Sequence, residues 1–419
     1  METDRNLANV GRKTETSGQN LQHFVSNSSW ASERVIVAVE EEVKVHPAFQ
    51  EAILVLDESA EEKAGEHSAG AGRQHNGRLG KIEMSQVGVF LALVTPEVCT
   101  WIDGELYLPK AWFEESHAEL RNKTGVPETL TFQTKPELGW QLIQRTQERQ
   151  IPFQAVVMDD LYGRNETLRQ NLNNAQIEYY GDVPSNTKVY LEKPQALHPL
   201  TKRGAPSKTP QIVGTAYEVR EVRQKDWLEW HTLRLRANER GHLEAKFARV
   251  RVWVVYDEQP RQEWLLLRQD AAQITYVLSN APETADLKTM AWRKTHRYLI
   301  ERSNEDAKDE FGWDEFQTRK YRAWKHQLAL TILASWFVAE TRLDWLRRFQ
   351  QSPELMVQYE VDALPKLSVA NVRELLRASL PLPQLSPEEA ASLVVRHLVN
   401  RTRSRKSRLR RKSNARING

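Results

Sequence analysis

Two short apolar runs in this chain end on an aspartate: Ala52-Ile-Leu-Val-Leu-Asp57 and Phe153-Gln-Ala-Val-Val-Met-Asp159. A strand end holds its side chain rigidly at the rim of a sheet. Two carboxylates on adjacent strands can then share hard divalent cations, which prefer oxygen ligands. A third acid has to arrive from elsewhere. The helical stretch over 286–310 offers Glu301, with Arg297 four residues before it, Glu305 four after it and Lys308 seven after it, all on one face. Each feature also has a plainer use. Asp begins turns, and Arg297, Glu301 and Lys308 by themselves make a solvated ion-pair ladder worth roughly 0.2–0.5 kcal/mol per pair. Asp160 competes with Asp159, since adjacent strand side chains face opposite ways and only one of the two can face a metal.

Six stretches surround these residues. Residues 1–45 read as a polar tether and a helix, with Leu21, Phe24 and Val25 at helical spacing and Ser32 capping a helix that runs through Val43. Residues 46–187 hold both Asp runs, a loop over 59–81 rich in Gly, His and charge, strands at 86–94, 100–108 and 177–180, and helices at 110–122, 135–149 and 164–174. Three strands, a helical stretch, strand, helix, strand is the order of an RNase H-like mixed sheet. The fold class expected is therefore α/β, a mixed sheet flanked by helices. Residues 188–285 open on a proline-containing linker (188–211) and become strand-like; over 246–256 Val250, Val252, Val254 and Tyr256 alternate with Arg249, Arg251 and Trp253. Residues 286–350 are helical again, residues 351–400 form a helical C-terminal region broken by Pro381, Pro383 and Pro387, and residues 401–419 are a basic tail.

Charge is distributed unevenly. The chain has 59 Lys and Arg against 56 Asp and Glu, a formal +3, yet residues 401–419 carry nine basic side chains and no acidic one. Removing them leaves 50 basic and 56 acidic residues, a body at −6 with a tail at +9. Such a tail, which includes Arg403, Arg405, Lys406, Arg408, Arg410 and Arg411, is expected to be disordered when free and to seek a polyanion, nucleic acid first. One cysteine, Cys99, excludes an internal disulfide framework and a Cys-based zinc site, and with no base spaced to activate it reads as a small apolar side chain. No run reaches the ~18–20 apolar residues of a membrane span, and the polar start is no signal peptide. A soluble, cytoplasmic setting with no membrane partner is expected.

Several ordered blocks resemble the bacterial insertion-sequence transposases of the DDE superfamily. Leu56-Asp57, Lys63, Gly65, His67-Ser68, Gly70, Arg73-Gln74, Gly77, Gly80-Lys81 and Ser85-Gln-Val-Gly-Val-Phe90 look like the first catalytic block, continued by Tyr107-Leu-Pro109 and Trp112. Val157-Met-Asp159-Asp-Leu-Tyr162-Gly163 is similar to the second. Arg297, Glu301 and Lys308, followed by Gly312, Trp324 and His326, are similar to the third, and the basic end also fits. The resemblance spans about residues 20–412 and has departures: Lys294 stands where Tyr is common three residues before the Arg, Asn304 where an apolar residue is usual, and Glu58-Ser59-Ala60 where Gly is common. Members also tend to have a longer helical region before the first block.

The resemblance implies an RNase H-like core interrupted by a β-rich insertion between the second Asp and the Glu; 141 residues lie between Asp159 and Glu301. It implies that Asp57, Asp159 and Glu301 are the catalytic triad and ligands of two Mg²⁺ ions, with Mn²⁺ able to substitute. Arg297 and Lys308 would then contact phosphate near the cut. Arg73, Lys81, Arg249, Arg251 and Trp253 are further DNA-contact candidates. Trp227, Trp230, Trp253 and Trp264 lie among Arg234, Arg236, Arg249 and Arg251, a mixture that suits stacking on unpaired bases, although core packing is the plainer use of Trp. His67 and His75 read as surface or phosphate contacts. The implied partners are double-stranded DNA, both transposon ends and target, and a second copy of the chain in a synaptic homodimer at the nucleoid. The competing readings are a catalytically silent DNA-binding remnant and a cellular RNase H-like nuclease.

Overall fold

The computed structural model describes residues 7–14, 16–77, 80–198, 211–238, 241–270, 273–315, 319–349, 352–361, 366–379, 386 and 388. Its strands are β1 (Ile53–Glu62), β2 (Gly72–Asn76), β3 (Lys81–Val94), β4 (Cys99–Tyr107), β5 (Val156–Met158), β6 (Tyr179–Val183), β7 (Lys188–Tyr190), β8 (Gln195–Leu197), β9 (Gln211–Val213), β10 (Ala216–Glu218), β11 (His231–Asn238), β12 (Gly241–Tyr256), β13 (Gln259–Gln269) and β14 (Ile274–Ser279). Ile53, Leu54, Val55 and Leu56 are fully buried. An unbroken apolar run is what a strand covered on both faces requires, and burial of each such side chain is worth roughly 1.5–3 kcal/mol.

β1 does not end at Asp57, as its apolar run suggested. It pairs antiparallel with β3 from Ile53–Val94 to Glu62–Ser85. Backbone pairing carries Glu58, Ser59, Ala60, Glu61 and Glu62 along although hydrophobicity gives no sign of a strand there. The 59–81 stretch is likewise no simple loop: β2 pairs with the first part of β3, from Asn76–Lys81 to Gly72–Ser85. β4 pairs with the rest of β3. On its other side β1 pairs in parallel with β5, and β5 in parallel with β6. The result is a mixed sheet in the order expected for an RNase H-like core.

The β-rich insertion continues this sheet. β14 pairs antiparallel with β6, and β13 and β12 follow, giving the path β10-β7-β12-β13-β14-β6-β5-β1-β3-β2 with β11 added on β12. The segment read as a linker contributes β7 to this sheet, and β8, which pairs with β9 apart from it. Alternation sends Leu266 and Val277 into the main core, while Leu265, Leu267, Val252 and Leu278 join a second core with Val189, Val219 and Val222.

Helices cover both faces. Leu56 points at the helix Lys135–Glu148, so closely that a Cβ on Gly139 would lie 2.6 Å from Leu56 Cδ2. That helix starts on a capping box made by Thr134 and Glu137. The single helix expected over 286–310 is two, Leu287–Thr295 and Tyr298–Asp309, broken at His296 and Arg297. Residues 110–122 form two 3₁₀ turns and the short helix Ala118–Thr124. The helix expected from a Ser32 cap is Ser32–Val45, with Ala31 at the cap. The long helix Tyr321–Arg348 packs Trp324 into an aromatic cluster with Phe90, Trp101 and Trp313. It also holds the N-terminal helices through His326, whose ring nitrogens lie 2.7 Å from the Val25 carbonyl and 2.9 Å from that of Trp30.

Candidate active site

The parallel pairs Leu56–Met158 and Met158–Gly181 bring three strands to one level. One residue further along each stands an aspartate: Asp57, Asp159 and Asp182. Because strand side chains alternate, all three leave the face occupied by Leu56 and point the other way. Asp57 Oδ1 accepts the Glu58 N–H at 2.9 Å. Asp159 ends β5 as the N-cap of the short helix Asp160–Gly163, its Oδ1 accepting from the N–H groups of Leu161 at 3.0 Å and Tyr162 at 3.3 Å. Asp160 turns to solvent and pairs with Arg164 at 2.5 Å. Gly163 lets this helix lie on β6; a Cβ there would stand 2.1 Å from the Asp182 carbonyl oxygen.

Two cations meet this rim from the break between the helices. Arg297 Nη1 is 3.9 Å from Asp57 Oδ2, its Nε 3.9 Å from Asp182 Oδ2, and its Nη2 2.5 Å from Glu301 Oε1. Lys294, buried, sits 2.6 and 2.7 Å from the two oxygens of Asp182. Glu301 itself is 54% exposed and turns to Arg297. Burial pushes the Asp57 carboxyl up to about 7; Arg297 opposes the rise, and repulsion from Asp159 adds to it. Asp159 is raised too, by burial first and against the pull of Arg297. Burial works against the charge of Arg297, but Asp57, Glu301, Asp182 and Asp159 together outweigh it and hold its proton more tightly.

The family model for DDE superfamily endonucleases matches residues 3–242. The chain belongs to this DDE superfamily. It is also 25% identical over 179 residues to the probable transposase for insertion sequence element IS701 of Microchaete diplosiphon, an alignment covering 41% of this chain and 42% of that protein. The matched stretch of the DDE model contains Asp57 and Asp159 and stops before Glu301.

DDE endonucleases generally depend on divalent metal. Among the described residues, no three His, Cys, Asp or Glu side chains stand close enough together to hold a metal ion in the arrangement present. The donor chemistry nevertheless fits a hard cation. Asp57 is buried and Asp159 half-buried, Asp159 raises the proton affinity of Asp57 by repulsion, Glu58 and Asp160 raise that of Asp159, and each spends one oxygen on backbone N–H groups. Beneath them the Tyr162 hydroxyl is buried without a hydrogen-bond partner and is pushed well up by burial and then by Glu58, Asp159 and Asp57. This surplus of negative charge is what a divalent cation relieves.

The remaining DDE-motif residues divide. Lys308 Nζ donates to the Ala60 carbonyl at 3.0 Å, on the same strand as Asp57. Gly70 has φ +74, and a Cβ there would be 2.9 Å from the Tyr107 carbonyl; Gln86 Nε2 donates to the Ala69 carbonyl and Trp112 Nε1 to that of Ala71. These residues shape the hairpin beside the site. Arg73 and His75 are exposed on β2, and Lys81 is exposed and pairs with Glu83 at 3.4 Å. Arg249 and Arg251 lie over the buried Trp264 ring at 4.3 and 4.9 Å, and Arg249 also donates to the Ala285 carbonyl. Trp253 is half-buried under Lys193, Trp230 packs on the second core, and Trp227 is exposed. The Cys99 thiol is pushed up to about 12 by burial. Arg403, Arg405, Lys406, Arg408, Arg410 and Arg411 lie outside the described residues. Sequence reading missed Asp182 and the half-buried pair Glu58–Lys135 at 2.8 Å. A single Asp at the end of a strand signals a turn as readily as a site, and only the register β1–β5–β6 puts Asp182 on the rim.

Proposed function

We propose that the protein is a DNA transposase that cuts and joins the ends of an insertion sequence, freeing a 3′-hydroxyl and transferring it to target DNA. One observation carries the reading: Asp57 and Asp159 stand side by side at the ends of parallel pairing, under a guanidinium that also ties down Glu301. Asp57 and Asp159, with Glu301 from the facing helix, are the residues that would hold divalent cations, Mg²⁺ or Mn²⁺. Such ions supply activation of a water or a 3′-hydroxyl and stabilisation of the leaving 3′ oxygen. The protein's own work is placement. Arg297 presents a fork that matches phosphate geometry, and Lys308 adds charge further along β1. Neither Cys99, half-buried and with its thiol pushed up by desolvation, nor any other protein group is needed as nucleophile.

The partners proposed are double-stranded DNA at the element's ends and at the target, and a second copy of the chain, since two ends must be brought together; cytoplasm and nucleoid are the setting. Among the described residues no helix is long and apolar enough to cross a membrane. The test is nicking of a supercoiled plasmid carrying the gene with its flanking genomic DNA, by purified protein in Mg²⁺ or Mn²⁺. Replacing Asp57, Asp159 and Glu301 by Ala is expected to abolish nicking and to spare DNA binding. Metal-dependent nicking that survives the triple replacement sinks the assignment. A wild-type protein that binds and never nicks is the silent remnant instead.

A further inference from the structure

Asp182 adds a carboxylate to the rim, yet it is ion-paired to Lys294, whose ammonium donates to Oδ2 at 2.7 Å and lies 2.6 Å from Oδ1 without a hydrogen bond to it. We propose that the buried Lys294–Asp182 pair is a positioning device for Arg297. By satisfying Asp182, Lys294 keeps the guanidinium over Asp57 and Glu301, where the scissile phosphate would lie. The inference rests on the endonuclease reading above and concerns how one of its residues is held.

The geometry sets up a competition. Arg297 Nε lies 3.9 Å from Asp182 Oδ2, beyond hydrogen-bond length, while Nη2 bonds Glu301 at 2.5 Å and Nη1 faces Asp57 at 3.9 Å. Asp182 cannot withdraw. Its backbone is paired with Val277 of β14, and the helix Asp160–Gly163 presses on its carbonyl through Gly163. Arg268, the other cation near Lys294, is committed to Asp270 at 3.1 Å. A carboxylate in this setting that loses its ammonium is left charged and mostly out of water, and Arg297, at 3.9 Å, is the other cation beside it among the described residues. Capture by Asp182 would shift the guanidinium by about 1 Å towards β6, away from Asp57. Lys294 is well placed to prevent this. It is 5% exposed, in the last turn of the helix Leu287–Thr295, three residues before Arg297, so one helix break sets both cations.

Removing one member of a buried ion pair is far more harmful than removing both. Suppression therefore tests the idea. Lys294→Met is expected to lower the rate of plasmid nicking at saturating protein by about 10–100-fold while changing the Kd for the same DNA, measured without Mg²⁺ or Mn²⁺, by less than about 3-fold. Adding Asp182→Asn to Lys294→Met removes the competitor and should restore most of the rate; Lys294→Arg should retain it. Where Lys294→Met alone does not fold, the double variant is compared directly with wild type. A double variant that melts normally and nicks as slowly as the single, or slowly at all, overturns the proposal. A crystal structure of Lys294→Met reads the same point without chemistry: Arg297 within about 3 Å of Asp182 supports it, and an unmoved guanidinium overturns it. Failure of the endonuclease reading shows separately, as nicking that persists in the Asp57, Asp159 and Glu301 triple replacement.

Discussion

On β4, Asp103 and Glu105 meet Arg145 at 2.7 and 3.0 Å, and Glu105 also meets Lys325 at 2.5 Å. Two strands away, Asp57, Asp159, Asp182 and Glu301 share Arg297 and Lys294. Both clusters are partly desolvated and both lie on one sheet. The first balances two acids with two bases at hydrogen-bond distance. The second has four acids for two bases, and Arg297 reaches two of those acids only at 3.9 Å. Proton affinities follow this difference at Glu105 alone, since burial raises Asp103 in spite of Arg145 just as it raises Asp57. Burial works against the charge of Glu105, but Lys325 and Arg145 outweigh it and hold its carboxyl below the ordinary range, whereas Asp57 is pushed up to about 7. Balance is what a structural ion cluster needs; an uncompensated surplus is what a cation-binding site keeps.

The comparison breaks most directly through single replacements. Asp57→Asn or Asp159→Asn is expected to cut plasmid nicking by about 100–1,000-fold or more, with no loss of melting temperature, because a buried repulsion is removed. A protein that loses its melting transition in step with its activity would make the rim a structural cluster after all. Arg145→Met is expected to do the reverse. Leaving Asp103 and Glu105 unpaired should lower the free energy of unfolding by about 3–5 kcal/mol in urea titration, with nicking per folded molecule unchanged.

Metal provides the next distinction. Saturating Mg²⁺ or Mn²⁺ is expected to raise the melting temperature of the wild type, by the equivalent of about 2.7 kcal/mol at one hundred times the Kd, and chelation should reverse it. The Asp57→Ala and Asp159→Ala variant should give no shift, and a full shift in it would place the metal elsewhere.

The smallest effect is in pH dependence. Burial pushes Glu61, on β1, from 4.5 up to about 7, against the pull of Lys63 and Lys308. A raised acid favours folding when protonated, so its contribution is present below about 4.5 and is lost as pH rises through about 7. Glu61→Gln is therefore expected to melt above wild type at pH values over 7, the gap closing towards acid. Glu105 is lowered, so its contribution is present above its ordinary range and lost on acidification. Glu105→Gln should accordingly melt below wild type at alkaline pH. Equal signs for the two variants would erase the contrast between a carboxyl raised by burial and one held low by its cations.

Much of the site was legible because its chemistry is local. Asp57 and Asp159 follow apolar runs that could only be buried strands, and Arg297, Glu301 and Lys308 share a helical face by spacing alone. The parts that were not legible depend on pairing. Nothing in Glu58–Glu62 marks a strand; β3 makes it one through hydrogen bonds that are blind to side-chain type. Trp264 looked like a base-stacking candidate beside Arg249 and Arg251, yet the two guanidinium groups cover its ring and the indole is buried, because the sheet continues across the insertion. The break at His296 and Arg297 left no proline or glycine to announce it.

Residue type and period thus determined by themselves that this chain would build a mixed α/β sheet with an acid closing each of two apolar strand runs and a basic helix face nearby. Tertiary structure decided which acids share a rim, since parallel register, and not sequence distance, aligns Asp57, Asp159 and Asp182. It also decided which cation serves which carboxylate, because that choice is made across 3–4 Å between elements more than a hundred residues apart in the chain.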